Sequence, residues 1–414
     1  MAKKSTRVGV RIGLRGVAQA TVDPAGVVHV DGWRGAECGW WVAASDRWHD
    51  PRQEPSVRQR RLDGAPVVET KLAVPSGDVV QRVYAVADQG GCLVMHISNE
   101  SPQPVAIAVP TASLSSTAAA GAAIPQGVSV PDGVSAFPLA HRSSITFAWP
   151  MQRSRWTSRR QVASTIDMGL LPSSDQVVRG WVQSGERASR LTVVSERLVA
   201  ARSTLLMASA HDIDDLLQSN PAIGVLAVGE RVRMGDPARE WVSPVADAVR
   251  RIAHKPAQSP WSARSLVVAA HVFTRADETA AASDVVSVWQ ELLDTASLPD
   301  ADIAPPVEQH DGLAVAVEFV AAAEEQFVRA AAPLHANVLP GGMPDEMRGV
   351  NAEAHGVIAS PHHRVSLALR WHGENVALLW EVEGPPGLRL SASQVDATFA
   401  TSQAQGEALL RVLP

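Results

Sequence analysis

The chain has 414 residues, is 46% hydrophobic and 19% charged, and carries a formal net charge of −6. This is the composition of a soluble globular protein with room for two or three cores, and the acidic balance excludes a general attraction to nucleic acid or to an anionic membrane surface. No stretch approaches 18 consecutive apolar residues, so no membrane-spanning helix is expected.

Lys3, Lys4 and Arg7 open the chain, but Val8, Val10, Ile12 and Leu14 alternate with Gly and Arg, which predicts a strand rather than a signal h-region. Residues 1–150 then read as an antiparallel β-sandwich. Short apolar runs such as Val27–Val30, Trp40–Val42, Val67–Val74, Val79–Val86, Cys92–Ile97 and Val105–Val109 recur with turn chemistry between them, as at Pro75–Asp78 and Asp88–Gly91. Residues 115–125 are small and predict a surface loop, and Ile145, Phe147 and Trp149 close the pattern. Cys38 and Cys92 are too few for a disulfide framework or a metal site. They predict buried, reduced thiols and a cytoplasmic chain.

Residues 151–184, rich in Arg, Ser and Gln and holding the basic run Arg153 to Arg160, read as a linker. From 185 to 335 the period turns helical. Val194, Leu198, Ala201 and Leu205 form one stripe; Val245, Val249 and Ile252 form another; Val285, Val288, Trp289, Leu292 and Leu293 form a third. The last stripe runs from Leu313 through Val328 and stops before Pro333. Short polar connections predict antiparallel helical hairpins. From 336 to 414 the β pattern returns: Val365, Leu367, Leu369 and Trp371 alternate, Gly373 turns, and Val376–Trp380 runs back. The expected class is therefore α+β multidomain. An N-terminal β-sandwich precedes a central helical-hairpin domain and a short C-terminal β unit, which is too small to fold readily alone.

The chemistry concentrates in two stretches. Trp40 and Trp41 are adjacent, so on a strand they face opposite sides. Asp46, Arg47, Trp48 and His49 follow in a loop, and a flat aromatic beside an acid and a base suits a polar ligand such as a sugar. The plainer alternative is a buried tryptophan pinned by an Asp–Arg pair. In the second stretch Glu353 and His355 precede Trp371 and His372. Glycoside hydrolysis uses two carboxyl groups, roughly 5–9.5 Å apart. Asp46 and Glu353 are the candidate catalytic pair; Trp41, Arg47, Trp48, His49, His355, Trp371 and His372 are the candidate substrate contacts. Asp50 and Glu381 have similar settings, whereas Glu240 and Glu308 lie near helix starts, where the helix dipole alone favours an acid. His362 and His363 are adjacent and point apart on a strand, with no further ligand at metal spacing, so no metal and no cofactor are expected. No phosphate-binding glycine loop and no nucleophile elbow is present.

Val42–Asp50, Val57–Gln59 and Pro66–Thr70, with Pro340–Pro344, Glu353–Gly356, Val365–Gly373 and Ala377–Glu381, resemble a group of proteins from high-GC actinobacteria. Those proteins look like relatives of the six-hairpin glycosidases. The resemblance covers about a third of the chain. It implies an N-terminal β-supersandwich, an (α/α) toroid, a small-molecule or oligosaccharide ligand and a place in carbohydrate metabolism, with no catalytic residue carried over. A full toroid needs twelve helices, roughly 200 residues at ordinary helix and loop lengths. The segment 185–335 holds about six to nine, so the resemblance implies an incomplete toroid. A glycoside hydrolase, a non-catalytic saccharide-binding module and a protein-interaction scaffold all fit this reading.

Overall fold

The computed structural model describes residues 9–15, 18–31, 37–110, 114–121, 133–151, 166–295 and 312–412. Lys3, Lys4, Arg7, the run Arg153 to Arg160 and Glu308 lie outside the described residues. The chain is mixed α+β and divides into two compact units, Met1–Val182 and Gln183–Pro414.

The first unit is built on antiparallel strands. A six-stranded sheet runs in the order Ser115–Ser116, Ser144–Pro150, Cys92–Asn99, Gly77–Val86, Val68–Val74, Arg58–Arg61. One four-stranded sheet has the order Val134–Leu139, Val105–Pro110, Trp41–Ala43, Trp48–His49, and a second joins Val10–Leu14, Ala18–Val22, Val28–Val30 and Glu37–Cys38. Alternation decides what each face buries. Val83, Leu93, Met95, Ile97, Phe147 and Trp149 of the large sheet share a core with Val42, Ile107 and Phe137 of the smaller one. Trp40 lies in this core and its indole N–H donates to the Ala25 carbonyl at 3.0 Å. The other face of the large sheet presents Tyr84, Val86, Cys92 and Val94. It is covered by helix α1, Ser174–Glu186, through Val177, Val178, Trp181 and Val182. The sequence reading took 174–184 as linker. Its four apolar residues, at i, i+1, i+4 and i+5, form a stripe too short to stand out among the polar residues but wide enough to cap a sheet.

The second unit holds seven further helices among the described residues: α2 Ser195–Met207, α3 Ala210–Ser219, α4 Pro221–Arg233, α5 Val242–His254, α6 Ser262–Arg275, α7 Thr279–Thr295 and α8 Leu313–Glu325. Helix α4 is the hub. It touches α2, α3, α5, α6 and α8, and every residue from Ala222 to Arg233 is buried. Asn220 caps it and Pro221 opens it, since proline's missing N–H costs nothing in the first turn. Gly229 lets α6 approach: a Cβ there would meet Val268 at 2.0 Å.

Helix α8 ends at Glu325, and Val328–Ala332 is already a strand, paired with His335–Val338. The apolar stripe had suggested that the helix runs on through Val328. Phe327 and Val328 instead fill the same core as the helices. The five-stranded sheet has the order Arg190–Leu191, Ala352–Ser360, His363–His372, Asn375–Glu383, Gln405–Leu410. Its inner residues Val357, Val365, Leu367, Leu369 and Leu378 join the helical core, so helices and C-terminal strands fold as one unit.

Candidate functional site

In the first unit, Trp41–Ala43 and Trp48–His49 form a hairpin pairing Val42 with His49 and Ala43 with Trp48. Ala44 N–H closes its turn on the Arg47 carbonyl at 3.0 Å. The turn gathers charge. His49 is buried, with Nε2 3.0 Å from Asp46 Oδ1 and Nδ1 3.2 Å from Glu54 Oε1. Arg47 donates to Glu54 and to the Trp48 carbonyl. Burial pushes the Asp46 carboxyl up, but the His49 hydrogen bond and backbone N–H groups outweigh it and hold Asp46 below the usual carboxylate range. The Arg47 hydrogen bond outweighs burial, which pushes the other way, and with the charge of Arg47 and His49 leaves Glu54 lowered as well.

Trp48 does not present its ring to solvent. It is 6% exposed and lies with Ala43, Ala108 and Ala136 on the outer face of the smaller sheet. Its indole N–H has no acceptor among the described residues. Trp41 packs against that cluster and is half-buried. Its side chain helps to lower the Asp50 carboxyl, and the Arg52 guanidinium lies 5.6 Å from its ring centroid. Arg52 also grips Asp50, with Nη2 3.0 Å from Oδ2 and Nε 3.1 Å from Oδ1. The partly open aromatic of this loop is therefore Trp41.

In the second unit, Glu353 sits on the strand Ala352–Ser360 with its side chain 28% exposed. Its Oε2 is 3.0 Å from His355 Nε2 and 3.7 Å from Arg190, and Arg370 donates to Oε1. The His355 bond first, then Arg370, pull its pKa down to about 2. Trp371 is tied at its N–H groups to Asn351 Oδ1 at 3.1 Å and the Met347 carbonyl at 2.8 Å, and His372 is exposed beside the turn.

The structure thus gathers Asp46, Arg47 and His49 into one cluster in the first unit, beside Trp41 and Trp48. It gathers Glu353, His355 and Arg370 into another in the second. Both proposed carboxylates are ionised at neutral pH, each held by its own basic partner. That suits charge stabilisation, not proton donation, because a general acid needs a raised pKa. Among the described residues the carboxyl left with a raised pKa, through burial, is Glu318 on α8, outside both clusters.

Sequence reasoning missed Glu54, the Asp50–Arg52 pair beside Trp41, and a buried ionic cluster in the second unit. There Glu324, 1% exposed, faces Arg264 at 2.6 Å, Arg233 at 2.8 Å and Arg202 at 3.3 Å, and Ser189 donates to it at 2.6 Å. Glu230 closes the group on Arg202 at 3.1 Å and on Arg233. The signal was available: Glu324 follows an apolar run of α8, and Glu230, Arg231 and Arg233 end a helix whose preceding residues are apolar.

No family model matches the chain, and no curated protein matches it. Among solved structures, a bacterial glucoamylase complexed with acarbose is similar over 67% of this chain and 65% of that chain, at 8% identity and a TM-score of 0.31.

Proposed function

We propose that this chain is a carbohydrate-related protein that binds a saccharide at Trp41 and does not hydrolyse it. The observation that carries the reading is the half-buried Trp41 ring, with the Arg52 guanidinium 5.6 Å from its centroid and Arg52 in turn held by Asp50. A flat apolar surface with charged hydrogen-bonding groups at its rim matches the two kinds of surface a pyranose presents. The resemblance of Val42–Asp50 and Val365–Gly373 to proteins of six-hairpin type supports the ligand class, and the seven helices of the second unit among the described residues fit a degenerate rather than a complete toroid. Binding is favoured over hydrolysis because Asp46 and Glu353 are both held ionised.

The test is a glycan panel against the full chain and two variants. Removing an aromatic anchor costs about 2 kcal/mol in binding, roughly thirtyfold. Trp41→Ala should therefore lose affinity by that factor while keeping its melting temperature within a few degrees. Trp48→Ala, which empties a buried site, should mainly destabilise, by about 3–5 kcal/mol. Failure of every glycan to bind the wild type would remove the saccharide reading. Turnover that disappears in both Asp46→Asn and Glu353→Gln would replace binding with hydrolysis.

A further inference from the structure

We propose that Arg275, His271 and Arg364 form a binding site in the second unit for a small doubly charged oxyanion of phosphate type. The site is distinct from the Trp41 face and does not depend on it. His271 and Arg275 stand one turn apart on α6, and Arg364 lies on the strand His363–His372. Arg364 Nη2 is 3.5 Å from His271 Nε2, and the His271 ring also bonds the Pro361 backbone.

The case rests on missing negative charge. The Arg364 side chain is half-buried, yet no carboxylate lies within salt-bridge distance of it or of Arg275 among the described residues. Its cross-strand neighbour Glu383 contributes attraction from beyond that distance. Arg233 and Arg275 both repel it, and Glu324 attracts it. Next to it, Arg202, Arg233 and Arg264 share only Glu230 and Glu324. Among the described residues five guanidiniums thus meet three carboxylates, an excess of two positive charges, with Arg275 and Glu383 at the exposed rim. Burying a charge without a partner is costly, and a half-buried guanidinium is expected to have an anion. A dianion balances the excess, whereas a monocarboxylate leaves half of it. Arginine's planar fork suits bidentate phosphate contacts. His271 is kept neutral by burial and then by Arg233, Arg364 and Arg275, so it adds no further charge to the site.

The experiment uses the full chain and inorganic phosphate, with acetate and potassium chloride at matched ionic strength as controls. Titration calorimetry and thermal unfolding should show saturable binding and a raised melting temperature with phosphate, and neither with the controls. Arg275 is exposed, so Arg275→Gln should fold normally and bind phosphate roughly tenfold more weakly, the worth of one charge-assisted hydrogen bond. Arg364→Gln should do the same; if it fails to fold, Arg275→Gln decides alone. Three outcomes overturn the proposal: no saturable heat at millimolar phosphate, equal stabilisation by acetate, or unchanged affinity in Arg275→Gln.

Discussion

The sharpest test of the fold is Glu324→Gln. The substitution keeps the shape of the side chain and removes one charge. Glu324 accepts from Arg264, Arg233, Arg202 and Ser189, so the amide loses an acceptor oxygen and points an N–H₂ group at guanidinium donors. Arg202 and Arg233 then keep Glu230, and Arg264 loses its carboxylate. Removing one partner of a buried pair costs about 3–5 kcal/mol, because the surviving charge stays out of water. Domain stabilities are about 5–15 kcal/mol, so the second unit should lose a large part of its margin. Urea unfolding at neutral pH measures the loss as a shift in midpoint at constant slope. Acid dependence gives a second reading. Burial pushes Glu324 up, but Arg233, Arg264 and Arg202 outweigh it and leave the carboxyl low. A lowered carboxylate stabilises fully above its unfolded pKa, and that stability is lost as pH falls below the usual carboxylate range. Glu324→Gln should flatten this part of the curve. A loss under about 1 kcal/mol with an unchanged acid limb would refute the argument that the three arginines depend on this carboxylate.

Two further outcomes are expected. His271 falls from an ordinary 6.5 to about 3, through burial first and then Arg233, Arg364 and Arg275. Its neutral form is what the fold stabilises, so the contribution is complete above pH 6.5 and is lost as pH falls toward 3, a change on the order of a few kcal/mol. His271→Gln should lessen the slope of stability against pH in that window, and an identical slope would count against it. Burial also pushes the Cys38 thiol up to about 12 and raises Cys92. Native thiol labelling should therefore be slow for both and become fast in urea; rapid native reaction at Cys38 would contradict its burial.

Much of the fold is legible where one period dominates. The alternation Val365–Trp371 gives the hairpin Ala352–Ser360 to Asn375–Glu383 its inner face, and the stripes at Val245–Ile252 and Val285–Leu292 give α5 and α7 theirs. The limits of this reading are physical. Val328 fits the helical stripe of α8 and also a strand, and only pairing with Val338 decides. The apolar run Ala222–Val228 of α4 shows that the helix is buried but not which helices surround it. At the candidate site, the opposed faces of Trp40 and Trp41 follow from adjacency, and the structure places Trp40 in the core and Trp41 on the outer face. That Trp48 joins Trp41 on that face, and is covered there, depends on the pairing Ala43 to Trp48, which spacing alone does not give.

The environment of the acidic residues bears more on function than their positions in sequence do. Glu54 answers Arg47, Glu69 answers Arg60 and Arg82, Glu324 answers three arginines, and Glu353 answers His355 and Arg370. Each is lowered. Carboxylates in such settings hold a framework together and stabilise neighbouring cations; they do not deliver protons at neutral pH. Glu69 and Glu324 are each buried, where a lone carboxylate would be costly and its arginines make it tolerable. Trp41 differs in kind: it packs against the Ala43 and Trp48 cluster with the Arg52 guanidinium over its ring, and the residue stays half-buried. A ring fixed in this way loses little conformational freedom on binding a flat apolar ligand surface, whereas a paired carboxylate must first surrender its arginine before it can act on a ligand. That difference in what each group gives up is the physical reason to place recognition at Trp41 and structure at the ion pairs.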